Sequence, residues 1–454
     1  MAQSSTLLIT GLACLIGAVV LHETGPTPQS LEPVNQQTQR LLVAAQASAE
    51  AREQQAAGAG SPREVYASVM ASIKASQATK ANPSASPTIK TSASASASAS
   101  ASVSPSPGAS GSLSPSASPS ASVSASPSLD PNSVEALHQK AIVVDTHVES
   151  PFLITEKKIN LRDNNNQVSL NKLKAGGVDV VFFSIYVHPV KYAKTAKKQA
   201  DVIISALKKE VSANADLIEM AYSYKDIQRI VSSGKIAGLM GMEGGEPIGQ
   251  DLKNVDYFYK QGLRYLGPTW SVNNQLGDSA GQKTYWRGLS PLGKQVLKRM
   301  NELNMLVDVS HLSDRSFYDV LKLSKQPVIA SHSGVDGVRL SSRNLSNDML
   351  KLLAFNEGVV GIMFYPPFLE NVPAKADVSS VVKHIKHAVA IAGIEHVGLG
   401  SDFDGLDSAP PKGLSDASKF PAITAEMRKQ GMKDSDILKV LGANYMRVFE
   451  QVLK

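Results

Sequence analysis

The chain has 454 residues, a formal net charge of +6 and a single cysteine, Cys14. So small an excess of positive charge, with no Arg-rich stripe interleaved with aromatics, excludes nucleic-acid binding as the default reading. Because Cys14 lies in an N-terminal apolar run, the remainder has neither disulfides nor thiolate ligands, and any metal must sit on His and carboxylate.

In chain order, the first element is the apolar stretch Leu7 to Leu21. It has the length of a signal-peptide core and falls short of the ~20 residues of a spanning helix. No Lys or Arg precedes it, no clean A-x-A site follows, and Gly-Leu-Ala before Cys14 is a poor lipoprotein box. Residues 1–25 are read as an export signal or a retained membrane anchor, with a buried helix as the bland alternative. Residues 26–76 hold thin helical patches such as "TQRLLVAAQASAEAREQQ" and form a weakly helical tether. Residues 77–130 are Ser, Ala and Pro, as in "SASASASASASVSPSPGASGS", with almost nothing to bury against the ordering entropy. That stretch is expected to be a disordered linker. Together these segments imply an extracytoplasmic place, in the cell envelope or secreted.

From 131 to 454 the texture changes. Eight short apolar runs alternate with amphipathic stretches: "AIVVD", "VDVVFFSIYV", "IAGLMGME", "LRYLGPTW", "MLVDVSH", "PVIASHS", "GVVGIMFYP" and "HVGLGSDFD". Near-continuous apolar runs suit a parallel sheet buried on both faces. Helical patterns stand between most of them, such as "SPLGKQVLKRMNELN" with its Ser-Pro start and "SDRSFYDVLKLS". The expectation is an α/β fold, a (β/α)8 TIM-like barrel. A doubly wound sheet is the runner-up, without a Gly-rich phosphate turn after the first run.

The polar residues fall at the ends of these runs. His147 and Glu149 end the first, Glu243 the third, His311 the fifth, His332 the sixth and Asp402 the eighth. In a barrel the C-terminal strand ends converge on one face, where catalytic groups gather. Each residue alone has a bland reading: a hydrogen-bonded histidine, a helix cap, a turn. Five of eight run ends carrying one is much harder to produce by accident. Three imidazoles and three carboxylates there suit one or two divalent ions, Zn²⁺ by preference, and two such ions could share a hydroxide nucleophile. The other histidines lack this placement; His384, His387 and His396 read as helix or loop surface.

The stretches "DTHVES", "GMEGGEP", "GLRYLGPTWSVNNQLGDSA", "GLSPLGKQVLKRMNELNMLVDVSH", "PVIASHSGVDGVRLSSRNLSNDML", "HVGLGSDFDG" and "LGANYMRVFE", in this order and spacing, resemble the membrane dipeptidase (renal dipeptidase) family of zinc peptidases, within the amidohydrolase-like barrels. The resemblance implies two zinc ions, with His147 and Glu149 on one, His311 and His332 on the other, and Glu243 bridging. It implies Asp402 as the acid/base and Arg343 as the holder of the substrate's terminal carboxylate, with Asn344 beside it. On sequence alone Arg343 would read as a surface ion-pair partner. The implied reaction is hydrolysis of a dipeptide, with a D-residue tolerated on the C-terminal side, and relatives suggest a homodimer.

Two positions depart from the family pattern. Glu149 stands where His-x-Asp is usual, which keeps the carboxylate but lengthens it by one methylene. Trp270 stands where many members place a histidine that polarises the substrate carbonyl; an indole offers one N–H donor and no charge. Two rivals therefore stay open: a binuclear metal amidohydrolase for another small amide or lactam, and a catalytically impaired envelope binding protein.

Overall fold

The computed structural model describes residues 130–454, so the expected signal or anchor, the tether and all but the last residue of the linker lie outside the described residues. Each of the eight apolar runs forms a strand. In chain order these are β1 (Val143–Val148), β2 (Val178–Tyr186), β4 (Ile236–Glu243), β5 (Leu263–Gly267), β6 (Leu306–Val307), β7 (Ile329–Ser333), β8 (Val359–Ile362) and β9 (Val397–Leu399). A further strand, β3 (Ile218–Met220), pairs with the first residues of β4 and is too short to announce itself in sequence. All ladders are parallel. They form an α/β half-barrel arc, β1-β2-β4-β5-β6, and a second arc, β7-β8-β9, an arrangement consistent with a TIM-like barrel.

The arcs meet at two thin seams. Between β6 and β7 the ladder shrinks to one bridge, Asp308 to Ile329. Between β9 and β1 it is Val148 to Phe403. A buried aspartate reinforces each seam. Asp308 accepts the Ser331 N–H at 2.8 Å and the Ser331 hydroxyl at 2.6 Å. Asp145 does the same for Ser401, at 2.8 and 2.6 Å. Charge-assisted bonds of this kind are shorter and stronger than neutral ones, and here they stand where backbone pairing is poorest.

The helices begin where the sequence signals them. Ser290 accepts the Gly293 N–H ahead of helix Pro291–Glu302, with Pro at its first position, and Ser313 caps Asp314–Leu323 in the same way. Their apolar faces pack on the sheet exterior in one large cluster. A second cluster fills the inner side near the strand starts, with Val144, Phe182, Leu239, Ile329 and Val359 around Tyr445 and Phe449 of the C-terminal helix Asn444–Val452. That helix closes the end opposite the polar strand termini. Among the described residues no helix is long and apolar enough to cross a membrane.

Glycines make this interior possible. A Cβ on Gly241 would run into the Tyr265 ring, and one on Gly400 would overlap the Ser331 carbonyl and crowd the Thr146 hydroxyl. Backbone cannot yield as a side-chain tip can, so Gly400→Ala should cost about 3 kcal/mol, the upper end of overpacking. A shift of the chemical-denaturation midpoint with unchanged slope measures it; a midpoint within error of wild type would refute the packing argument.

His384 is a correction. Read as surface from sequence, it is fully buried, accepting the Val335 N–H at Nδ1 over 3.0 Å and facing the Leu369 carbonyl with Nε2 at 3.1 Å. It secures the chain just after β7.

Candidate metal centre

The strand ends bring the predicted residues together. Glu243, the last residue of β4 and 3% exposed, points its two oxygens in different directions. Oε2 lies 3.2 Å from His147 Nε2 at the end of β1. Oε1 lies 3.0 Å from His311 Nε2 and 3.6 Å from His332 Nε2. The last two nitrogens are 2.9 Å apart. On the other side of His147, Asp402 Oδ1 is 3.9 Å from Nε2, and ligand atoms of His147, Glu149 and Asp402 lie within 4.8 Å of one another. A second such group comprises His147, Glu243 and His332.

Local backbone explains the placement. His311 and Asp402 adopt φ of 65° and 63°, the left-handed region that costs a non-glycine residue roughly 1–2 kcal/mol. Each turns its side chain back over the strand ends. The Asp402 N–H bonds to the His147 carbonyl at 3.0 Å, which holds its loop against β1. Gly405 leaves room beside both carboxylates, since a Cβ there would press on Glu149 Oε1 and Asp402 Oδ1. Asp404 anchors the same loop, accepting the Ser150 hydroxyl at 2.6 Å and the Gln167 N–H at 2.9 Å.

The electrostatics are those of groups forced together. Burial disfavours the His147 cation, but Glu243, Asp402 and Glu149 outweigh it and lift His147 to about 9. Burial would raise Glu243, yet the nearby His147 charge and the hydrogen bond from His311 hold it well below the usual carboxylate range. Burial and the Glu243 charge push Glu149 well up. Burial lifts Asp402 to about 7, against the pull of His147 and Arg343. Burial and the Arg343 charge drive His311 down to about 4; burial and the His147 charge take His332 well below its usual value. Two neutral imidazoles thus face one carboxylate oxygen.

Arg343 is buried, which removes the surface ion-pair reading. Its Nη2 donates to the His332 carbonyl at 3.0 Å, while Nε is buried with no hydrogen-bond partner. Asn344 is turned to the loop instead, its amide donating to the carbonyls of Arg339 and Phe368 at 2.7 and 2.9 Å. Trp270 forms an aromatic wall, its ring centroid 5.1 Å from Tyr186 and 6.4 Å from His311. Sequence reasoning missed the supporting groups: Ser184 donates to Glu243 Oε2 at 3.1 Å, Ser271 lies 3.2 Å from His311 Nδ1, and Tyr265 lies 2.8 Å from His147 Nδ1. The one available signal was the aspartate shortly before the histidine in both "DTH" and "DVSH".

These residues fit a metal. His147 Nε2 is buried without a hydrogen-bond partner, and three imidazole nitrogens converge on one carboxylate. Buried polar atoms are normally paired, and this donor set is that of a zinc-type divalent ion.

Fold and donor set together define a metal-dependent hydrolase of the α/β class. Residues 132–454 match the model of membrane dipeptidases, peptidase family M19. The dipeptidase tcpJ of Claviceps purpurea (strain 20.1) is 34% identical over 313 residues, covering 66% of this chain and 73% of that protein. The probable dipeptidase PvdM from Pseudomonas aeruginosa superposes with a TM-score of 0.67 at 25% identity, over 70% of this chain and 97% of that one. A metallopeptidase from Rhodobacter sphaeroides, solved with a phosphinate mimic of the dipeptide L-Ala-D-Ala, gives 0.64 at 27% identity, over 69% and 100%. The chain belongs to the membrane dipeptidase family, and it is a metallo-dipeptidase.

Proposed function

We propose that the chain hydrolyses dipeptides with a free C-terminal carboxylate, accepting a D-residue at that end, on a closed (β/α)8 barrel carrying two zinc ions. The observation that carries this reading is Glu243, whose two oxygens face His147 on one side and the His311–His332 pair on the other. One ion would be held by His147 and Glu149, the other by His311 and His332, with Glu243 between them. When bound, the ions supply Lewis acidity that activates water and polarises the scissile carbonyl.

The chain's own groups do the rest. Asp402, beside His147 and fixed by its backbone bond to β1, takes the proton from water and returns it to the leaving amine. Arg343 offers its unpaired Nε to the terminal carboxylate, and planar guanidinium is suited to that partner. Asn344 braces the loop that presents Arg343. Trp270 and Tyr186 wall the substrate side of His311 and limit water there.

A second reading keeps the metals and changes the substrate to another small amide or lactam. Trp270 favours it, because an indole near His311 cannot supply a charged polarising group. For the cell, the proposal is an extracytoplasmic enzyme tethered through residues 1–130 and paired as a homodimer. Fractionation and the sedimentation of the purified chain test those two points.

The deciding experiment uses the full-length chain, stripped by chelator and reloaded with Zn²⁺, on L,L- and L,D-dipeptides and their C-terminal amides. Hydrolysis should vanish on stripping, return with zinc, and fall steeply when the carboxylate is amidated. Zinc uptake without cleavage of any dipeptide would move the amide or lactam reading into first place.

A further inference from the structure

Glu246 opens the short turn Glu246–Ile248 after β4, and the mechanism above leaves it unused. The residue is half-buried, so a ligand can reach it. Oε1 takes the Asn274 amide at 3.2 Å. Oε2 occupies the space that a Cβ on Gly244 would fill, with Trp270 Cβ next to it. The carboxylate thus stands beside the base of Trp270, whose ring lies 5.1 Å from Tyr186 and 6.4 Å from His311.

What sets Glu246 apart is the lack of a counter-charge. Asp145, Asp278, Asp308 and Asp404, on the strands and loops of the same site, each accept three hydrogen bonds. Glu246 has Asn274 and its own backbone N–H, and among the described residues no Lys, Arg or His pairs with it. Burial pushes its carboxyl up to about 7, and the Glu243 charge adds to that. Carboxylates removed from water are normally paired, so this one has a place for a cation from outside. Asn274 is itself locked, donating to the Pro268 carbonyl and accepting the Leu276 N–H, each at 2.8 Å. The carboxylate is therefore held in place before a ligand arrives.

A dipeptide with two free ends carries an α-ammonium, and Arg343 answers only the other end. We propose that Glu246 is a specificity-determining residue that receives the substrate's α-ammonium, with Trp270 beside it. The inference rests on the dipeptide reading above and adds the amine to what the site recognises. An aromatic face attracts an ammonium and a carboxylate neutralises it, so the two side chains suit one ligand group. The indole at position 270 contributes where a charged imidazole would repel.

The test compares L-Ala-D-Ala with propionyl-D-Ala, which lacks only the amine, on the zinc-loaded full-length chain. Wild type should favour the free amine in kcat/KM. In Glu246→Gln that preference should fall by about 10- to 150-fold, the worth of a hydrogen bond to a charged group, with the change in KM. Glu246→Asp, which keeps the charge on a shorter arm, should fall between the two. Equal losses on both substrates, or no loss, overturn the assignment. A loss with L-Lys-D-Ala that is absent with L-Ala-D-Ala also overturns it, because Glu246 would then read a side chain. No cleavage of either substrate by wild type overturns the dipeptide reading instead. Calorimetry with a phosphinate mimic of L-Ala-D-Ala and its des-amino form then decides Glu246 without turnover. The amine should tighten binding to wild type about 10- to 150-fold more than to Glu246→Gln, and equal tightening overturns the proposal.

Discussion

Asp402→Asn should lower kcat on dipeptides by about 10²- to 10⁴-fold, the usual contribution of a positioned acid/base, while metal content stays at the wild-type level. The substitution keeps volume and the backbone bond from Asp402 to His147, so the loop and its left-handed turn are preserved. What is lost is the ability to accept a proton and give it back. Asp402 stands 3.9 Å from His147 Nε2, farther than Glu243 at 3.2 Å, a distance that suits a group working beside a bound metal better than a principal ligand. Steady-state kinetics with metal analysis on the same sample provides the check. A variant within threefold of wild type in kcat would refute the acid/base role. A variant that loses an ion would reassign Asp402 as a ligand, in keeping with its grouping with His147 and Glu149.

Arg343→Ala should reduce kcat/KM for dipeptides with a free carboxylate by roughly 30- to 4,000-fold. Truncating one partner of a buried charge pair costs about 2–5 kcal/mol, and each 1.4 kcal/mol is tenfold. The side chain is 9% exposed, one nitrogen is held by the His332 carbonyl, and Nε lacks a partner. Burial pushes Arg343 down only to about 10, with Asp402 and Glu243 holding it up, so it remains a cation at neutral pH. The informative comparison is the C-terminal amide, which should be about equally poor for variant and wild type. Equal proportional losses on acid and amide would instead mean that Arg343 props up the site without meeting the carboxylate. Arg343→Lys, a point charge without the planar fork, should fall between the two.

Much of this arrangement was legible in the sequence because strand periodicity and the position of polar residues are local signals. The eight apolar runs each became a strand, and the polar residues after them converge because parallel strands share one direction. The family resemblance supplied what local pattern could not, above all the place of Arg343 beside the cluster and of Glu243 between His147 and the His311–His332 pair. Non-local facts stayed hidden. Nothing in "PVIASHS" reveals that Ser331 meets Asp308 across a seam, and nothing around Tyr265 reveals that its hydroxyl reaches His147. His384 failed for the same reason: its neighbours in sequence are helical and half polar, but the face it occupies is covered by the chain after β7 and by the carbonyl of Leu369. β3 escaped because three residues carry no periodicity.

The thin seams have a consequence for how the molecule holds together. His147 and Glu243 belong to one arc, His332 and Asp402 to the other, and His311 follows the last strand before the β6–β7 seam. An ion held by His311, His332 and Glu243 would tie the two arcs across the β6–β7 seam, and one held by His147 and Glu149 would sit beside Asp402 at the β9–β1 seam. Ligand that binds only the assembled form stabilises it by mass action. A bound metal would therefore act as a clasp as well as a reagent, along the lines where backbone pairing is thinnest. Removing the metal should lower the stability of the whole barrel as well as its activity, read as an earlier denaturation midpoint for the stripped protein.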